Sequence, residues 1–293
     1  MGACCSNADP YPCPLPEACS AQYGYPDSIE ILRPEDKPSV DQAVALCARS
    51  FAGGEAAPPP GEFDWLLYDG KTNAKIEDAD ERVHRLNAVM GWSVHKAFKL
   101  KSHGLVLTQR SGLFKNSQGS DLESDEKRKK NKIVGCCIMY IYPERWTPSP
   151  DGFMMAMKIA MAAGASEWTA KQNDTIHSDR LKALDKAMVD MKKRYLLANG
   201  ANGAHVCLQI LATDPTCQGQ GVGSKLMKAV CAIGDGLKLP VYLECDAGKN
   251  DRFYRKFGFE ELGSTPLEVK GGEAFSGKFM AMKRPAQTST MTR

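Results

Sequence analysis

The sequence predicts an α/β fold in a single domain, and three observations support this prediction. Short apolar segments rich in β-branched and aromatic residues recur along the chain, as expected of buried strands. Longer segments with apolar residues at helical spacing lie between them. Of the 293 residues, 43% are hydrophobic and 25% are charged, which is ordinary for a folded domain with a sizeable core.

The composition also argues against several classes of protein. The net charge of +3 is too small to indicate a nucleic-acid partner. No apolar run reaches the roughly 18 residues of a membrane-spanning helix, and the N-terminus lacks the apolar core of a secretory signal. The eleven cysteines form no C-x-x-C pair, which argues against a metal site and against a disulfide framework. A reducing, cytoplasmic location is therefore expected.

The first elements follow a segment of residues 1–27, whose cysteine, proline and alanine content predicts a flexible tail. Val40, Val44 and Ala48 repeat at helical spacing and predict a helix that Gly53-Gly54 ends. Three prolines then make a break before the next helix. The elements predicted in this half are a strand at 29–32, helices at 39–51 and 78–99, and strands at 105–109 and 133–142.

Two predicted insertions precede the second half of the domain, which is expected to span residues 28–285. The polar, charged segment 111–131 predicts a mobile loop, and segment 146–203 predicts a methionine-rich helical insert with helices at 153–163 and 178–197. The later elements are a strand at 206–212, a helix from 222, a strand at 241–245, a short helix around Tyr254, and strands near Glu260 and at 279–282. Residues 286–293 are expected to be a disordered tail.

The segment Gln218-Gly219-Gln220-Gly221-Val222-Gly223 connects a predicted strand to a predicted helix. Three alternating glycines permit a tight turn and a close approach of the backbone to a ligand. The helix that begins directly behind them presents unpaired N–H groups and the positive end of its dipole, which favour an anion. The segment therefore predicts a phosphate site, and a pyrophosphate would occupy several N–H groups together.

Other glycine loops fit this segment less well. The P-loop pattern G-x-x-x-x-G-K-[ST] fails because Ser224 precedes Lys225. The dinucleotide pattern G-x-G-x-x-G fails because the third glycine comes one residue early, although Glu244 lies about twenty residues on, where such loops place an acidic residue. A purely structural glycine turn remains an alternative.

The remaining pattern, Q/R-x-x-G-x-G/A, is present at Gln218, Gly221 and Gly223 and resembles the coenzyme A loop of the GCN5-related N-acetyltransferases (GNAT). The segment that follows also resembles this family, in which a strand ending in an acidic residue leads to an Asn, a Tyr on a short helix, and Gly-Phe. The spacing of Asn250 and Tyr254 is most similar to the puromycin N-acetyltransferase-like branch. The resemblance covers residues 205–259.

The resemblance implies a mixed, mostly antiparallel sheet flanked by helices, with a splayed strand pair that holds the cofactor. It implies transfer of acetyl from acetyl-CoA to a primary amine by direct attack. Tyr254 would protonate the leaving thiolate, and Glu244 would accept the proton of the amine. The backbone of residues 211–213 would pair with the pantetheine arm, and N–H groups of residues 219–224 would hold the pyrophosphate. The residues implied in acetyl-CoA binding are Leu211, Ala212, Thr213, Gln218, Gly219, Gln220, Gly221, Val222, Gly223, Ser224 and Asn250.

Each of these roles has a simpler alternative. Tyr254 could be a core aromatic residue, Glu244 an ordinary carboxylate at a strand end, and Asn250 a helix cap. The chain could be a non-catalytic CoA-binding or lipid-anchored interaction module with the same fold, or it could use a longer acyl donor. The acceptor amine, a small molecule or a protein, is not indicated. Its pocket is expected from the first two helices, the insert and residues 263–277.

The N-terminus carries an acylation pattern. Met1-Gly2-Ala3-Cys4-Cys5-Ser6 matches M-G-x-x-x-[ST], which predicts myristoylation of Gly2. One myristoyl chain binds membranes only marginally, and Cys4 and Cys5 are placed to supply a second signal by palmitoylation. The basic run at 127–130 would add attraction to an anionic leaflet. The cytoplasmic face of a membrane is thus a second expected location, and a chance match is the alternative.

Overall fold

The computed structural model describes residues 29–54, 59, 61–69, 72–99, 104–111, 132–142, 178–198, 203–269 and 272–287. The predicted tail of residues 1–27, nearly all of the charged loop 111–131, all of the insert before residue 178 and residues 288–293 of the predicted C-terminal tail lie outside these ranges. The acylation pattern at Gly2, Cys4 and Cys5 therefore lies outside the described residues as well. Within the described ranges, none of the helices is both long and apolar enough to cross a membrane.

Seven strands form one mixed sheet in the order β1-β2-β3-β4-β5-β7-β6. All neighbouring pairs are antiparallel except β4 and β5, which run parallel. The predicted mixed, mostly antiparallel sheet is therefore confirmed. The strands are β1 (Ile29–Ile31), β2 (Gly104–Arg110), β3 (Ile133–Tyr142), β4 (His205–Thr213), β5 (Val241–Asp246), β6 (Glu260–Thr265) and β7 (Phe279–Arg284).

Helices cover both faces of the sheet, as predicted. On one face, Leu46, Trp65, Met90 and Leu184 pack with the inward side chains of the sheet into one core cluster. On the other face, the helix that includes Leu226 packs into a second cluster, and Phe253 and Tyr254 of a short helix pack against that cluster. The helices are α1 (Lys37–Ala52), α2 (Gly61–Leu66), α3 (Ala79–Lys99), α4 (Ser178–Leu196), α5 (Val222–Leu237) and α6 (Lys249–Arg255).

Local signals explain where the helices begin and which side they bury. The side chain of Asp36 caps α1 by accepting a hydrogen bond from the backbone N–H of Ser39 (3.2 Å). The apolar stripe predicted for α1 is buried at Val40 and Ala48. Five of the six helices in the described part of the chain match a predicted helix within a few residues, whereas α2 lies in the segment after the three prolines and was not predicted. The helix predicted at 153–163 lies outside the described residues.

The parallel pair β4–β5 opens partway along its length. Val206–Leu208 pair with Val241–Leu243, and no pairing continues to the ends of the two strands at Thr213 and Asp246. On the other side of β4 the register against β3 shifts at Gln209, which is the extra residue of a β-bulge. The predicted splayed strand pair is therefore present, and it leaves the second half of β4 with an open edge.

Candidate active site

A large cleft of about 1240 Å³ lies where β4 and β5 separate. This volume exceeds the roughly 300–1,000 Å³ of an ordinary ligand pocket. One side, here called the glycine-loop wall, comprises the ends of β4 and β5, residues 215–224 and helix α6. The opposite side, here called the helical wall, comprises residues of α1, α2, α3 and α4.

The glycine loop adopts a conformation that suits its glycines. Gly219 and Gly221 have φ angles of 77° and 82°, which L-residues with a Cβ rarely adopt. Gly221 is the N-cap of α5 and supplies no side-chain cap, so the N–H groups of Val222, Gly223 and Ser224 have no partner within the helix. The first turn of α5 also lacks acidic residues. These features leave a cluster of donors at the positive end of a sixteen-residue helix.

Asp214 fixes the connection between β4 and this loop. Its carboxylate accepts hydrogen bonds from the backbone N–H and the hydroxyl of Thr216, at 3.0 and 2.6 Å. Lys132 and Arg49 approach the same carboxylate at 2.9 and 3.4 Å. Burial alone would raise the pKa of Asp214, but the hydrogen bonds from Thr216 and Lys132 outweigh burial and hold this pKa well below its ordinary value.

The open edge of β4 offers peptide groups at alternate residues. The backbone N–H of Asp214 donates to the carbonyl oxygen of Val134 on β3 (2.9 Å). Since peptide groups alternate along a strand, those of Ala212 face β3 too, whereas those of Leu211 and Thr213 face the open edge. Leu211 and Thr213 line the cleft and Ala212 does not. The backbone of Ala212 is therefore committed to the sheet.

Tyr254 and Asn250 lie on α6 and line the cleft. The ring of Tyr254 packs against Phe253 and Phe259, with ring centroids 5.3 and 5.9 Å away. Burial raises the pKa of Tyr254, so its hydroxyl stays protonated at neutral pH. The side-chain amide of Asn250 donates to the carboxylate of Asp246. The N-cap of α6 is Gly248, so the alternative of Asn250 as the cap is wrong.

Glu244, the residue predicted to accept the proton, is held in a buried ion pair. Its carboxylate lies 2.7 Å from the ammonium of Lys192 on α4, and the two side chains are only 3% and 9% exposed. The same ammonium lies 5.5 Å from the centre of the Tyr242 ring. Glu244 reaches the cleft, but its carboxylate is already engaged as the buried counter-charge of Lys192.

The helical wall combines apolar side chains with charged ones from each of its helices, namely Arg49, Glu62, Lys96 and Asp185. Phe51 and Phe63 stack at 4.4 Å between ring centroids and line the cleft. Lys96 of α3 lies 5.6 Å from the centre of the Tyr140 ring, and burial lowers its pKa. Asp185 of α4 also lines the cleft, and burial raises the pKa of its carboxyl. The helices thus form the expected pocket, whereas none of the described residues within 263–277 lines it.

The structure brings most of the predicted site residues together. Of the eleven residues implied in cofactor binding, all but Ala212 and Gln220 line the cleft, as do Tyr254 and Glu244. The side chain of Gln220 instead donates to the carbonyl oxygen of Thr216 (3.2 Å). No sequence pattern indicated Glu62, an acidic residue of α2 in the same cleft. Three prolines next to a six-residue helix hide any helical period there.

One family of known proteins matches part of the chain. The family model described as Acetyltransferase (GNAT) domain matches residues 189–261, which include the end of α4, the glycine loop and Tyr254. The match spans 73 of the 293 residues. The match is therefore confined to about a quarter of the chain. A search of curated proteins found no match.

Several solved structures align with most of the chain at low similarity. A histone acetyltransferase HPA2 and related acetyltransferase from Corynebacterium glutamicum is 16% identical, with 90% of this chain and 98% of that chain covered and a TM-score of 0.45. Naa20 from Chaetomium thermophilum, in complex with a bisubstrate analogue, is 10% identical over 88% of this chain and 86% of that chain, with a TM-score of 0.38. NAA60 from Arabidopsis thaliana is 11% identical, with 64% of this chain and 78% of that chain covered and a TM-score of 0.33.

Proposed function

We propose that this chain is an acetyl-CoA-dependent N-acetyltransferase that acetylates a primary amine by direct attack. The observation that carries the proposal is the meeting of three features in one cleft. These are the open edge of β4, the free N–H groups at the start of α5, and the Tyr254 hydroxyl. The family match over residues 189–261 supports it.

The residues of the glycine-loop wall fit acetyl-CoA. The peptide groups of Leu211 and the N–H of Thr213 on the open edge suit an extended pantetheine arm, which would add to the sheet as a strand does. The carbonyl oxygen of Thr213 already accepts a hydrogen bond from the Ser50 hydroxyl (2.8 Å). The N–H groups of residues 222–224 suit a pyrophosphate at a helix N-terminus. The side-chain carbonyl of Asn250 remains available to the cofactor because its amide group is bonded to Asp246.

Tyr254 is suited to act as the general acid. When bound, acetyl-CoA supplies the acetyl group and its sulfur leaves as a thiol. Because the pKa of Tyr254 is raised, the hydroxyl carries its proton at neutral pH and can donate it to the sulfur. A thiol with a pKa of roughly 8.5 is already a fair leaving group. Tyr254 therefore needs to contribute only about 1–2 kcal/mol.

The first test is a thermal melt of the full chain with acetyl-CoA, with NAD and ATP as controls. Ligand at about one hundred times its dissociation constant stabilises a fold by roughly 2.7 kcal/mol, which at this size shifts the melting temperature by a few degrees. A shift with acetyl-CoA alone supports the assignment of the loop. A shift with NAD or ATP but none with acetyl-CoA would sink the transferase proposal.

The second test is turnover, followed by release of free CoA thiol with puromycin, spermidine and a lysine peptide as acceptors. Puromycin is included because of the spacing of Asn250 and Tyr254. Tyr254→Phe should lower kcat about 5–30-fold while the acetyl-CoA melt shift stays unchanged. Tyr68→Phe is the matched control, since the Tyr68 hydroxyl bonds Glu273 outside the cleft (3.2 Å). Binding of acetyl-CoA without turnover of any amine would favour the non-catalytic module.

A further inference from the structure

Two carboxyl groups from distant parts of the sequence meet in the cleft. Helix α2 packs against β5, and a Cβ on Gly61 would overlap the carboxylate of Asp246 at the end of β5. The first turn of α2 is therefore pressed against Asp246, and Glu62 follows directly. Glu62, Asp246, Asn250 and Tyr254 all line the cleft. Glu62 on the helical wall and Tyr254 on the glycine-loop wall therefore face the same cleft.

Glu62 and Tyr254 lie within electrostatic range of each other. After burial and the nearby Cys245 thiol, the charge of Glu62 is the next contribution that raises the pKa of Tyr254. Asp246 adds a smaller contribution of the same sign. Asn250 holds Asp246 through its side-chain amide, whereas the Glu62 carboxylate accepts from its own backbone N–H and has no side-chain partner among the described residues. Of the two carboxyls, Glu62 is thus the one that no other side chain holds.

Cations on the elements around α2 are engaged elsewhere. Arg49 of α1 pairs with Asp214, and Lys192 of α4 pairs with Glu244. Arg180 of α4 donates to a backbone carbonyl of α2 at 2.6 Å and stacks on an aromatic ring. Among the described side chains, the charged groups that line the cleft with Glu62 are Arg49, Lys96, Asp185, Glu244 and Asp246. Of these, Lys96 lies over the Tyr140 ring.

The Glu62 carboxyl titrates in the range that proton transfer needs. Burial, followed by the charge of Asp246, raises the pKa of Glu62 to about 8. The group is protonated below that pH and is a carboxylate above it. A base with a pKa near the working pH is the most effective, because it is both available and basic enough.

We propose that Glu62 is the general base of this transferase and takes the proton from the acceptor amine, a role that rests on the proposed function. The Glu62 carboxylate removes one proton from the substrate ammonium and later releases it to water. The neutral nitrogen forms a bond to the acetyl carbon, and the bond from that carbon to sulfur breaks. Tyr254 gives its proton to the sulfur and regains one from the nitrogen. The net result is an amide, free CoA thiol and one released proton.

The activity test compares Glu62→Gln with Asp64→Asn on the same short helix. Asp64 pairs with Lys75 (2.8 Å) and lies outside the large cleft. Glu62→Gln should lower kcat by roughly 10²–10⁴-fold and leave the acetyl-CoA melt shift intact, and Asp64→Asn should change kcat little. In the native protein kcat should rise with pH through an apparent pKa near 8. The midpoint of this rise in kcat should be the same for two acceptor amines of different pKa. The rise should be absent in Glu62→Gln.

A stability measurement tests Glu62 without any acceptor. The pKa of Glu62 is raised from 4.5 to about 8 by folding, so its contribution to stability is fully present below pH 4.5 and is lost as pH rises through 8. Glu62→Gln should therefore melt above the native protein at pH 9, with much less difference at pH 5. Asp64→Asn should not show this gain.

The outcomes separate the two proposals. If the native protein binds acetyl-CoA but acetylates no amine, the transferase proposal fails and the base proposal fails with it. If the native protein is active and Glu62→Gln keeps kcat within about fivefold, only the base proposal is overturned. A Glu62→Gln protein that melts no higher than the native one at pH 9 also overturns it. Glu62→Asp should recover part of the lost turnover, because it keeps a carboxylate.

Discussion

The two walls of the cleft are built in different ways. The glycine-loop wall depends mainly on backbone groups, namely the peptides on the open edge of β4 and the N–H groups of residues 222–224. These come from one continuous stretch, residues 205–254. The helical wall depends on side chains such as Glu62, Lys96 and Asp185, which come from three helices far apart in the sequence.

The difference shows what a sequence pattern can locate. A backbone site needs only a strand, a turn and a helix in the right order, and glycines mark the turn. A side-chain site requires knowledge of which helices meet over which strands. Glu244 and Glu62 illustrate this difference. Glu244 lies in a recognisable motif, and in the structure it is ion-paired to Lys192. Glu62 belongs to no motif, and only the fold places it in the cleft.

The largest expected effect comes from breaking the ion pair between the two walls. Lys192→Met leaves the Glu244 carboxylate buried without a partner, which should cost about 3–5 kcal/mol in the free energy of unfolding measured in urea. The double variant Lys192→Met/Glu244→Met should recover most of that loss. Lys186→Met is the control on the same helix, because its ion pair with Asp190 is exposed. A loss below about 1 kcal/mol would show that the pair is not structural.

The same double variant sharpens the comparison between the two glutamates. If Glu244 only pairs with Lys192, the folded double variant should still acetylate amines and keep the limb of the pH profile near 8 that is assigned to Glu62. Loss of that limb together with Glu244 would return the role of base to Glu244. The assay is again the release of CoA thiol.

Much of the fold was predictable because its elements carry local signals. The strands around β3 and β4 are nearly continuous apolar runs, and α1, α3, α4 and α5 have apolar stripes. Helix α2 was missed because its six residues are too few to show a period. The opposite orientation of Ala212 and Leu211 could not be predicted, since it depends on the register of β4 against β3.

The intermediate effect tests whether the glycine-loop wall acts through its backbone. At Gly221, with φ of 82°, an added Cβ would meet nothing within 4 Å, so Gly221→Ala costs only backbone strain, about 1–2 kcal/mol. A loop that shifts to relieve this strain also moves the N–H groups behind it. Affinity for acetyl-CoA, measured by calorimetry, should therefore fall about tenfold.

Gly223→Ala is the matched control within the same loop. Gly223 has no positive φ, and its added Cβ would make an ordinary contact with the Thr213 hydroxyl at 3.4 Å. Alanine also favours the helix by up to about 1 kcal/mol. This variant should bind acetyl-CoA within about threefold of the native protein. Equal losses of acetyl-CoA affinity at Gly221 and Gly223 would mean that the added methyl groups act by occupying space in the cleft rather than by changing the loop conformation.

The smallest expected effect concerns Asp214, which ties the glycine loop to Lys132 and Arg49. Its pKa is lowered by folding, so its contribution to stability is present above the unfolded value of 3.8 and is lost as pH falls below it. Both cations are about half exposed, so Asp214→Asn should cost only about 1 kcal/mol at pH 7. In urea unfolding this difference should hold down to about pH 5 and shrink toward pH 3. A difference that stays constant to pH 3 would mean that Asp214 acts through the Thr216 hydrogen bonds alone, which an asparagine oxygen could partly replace.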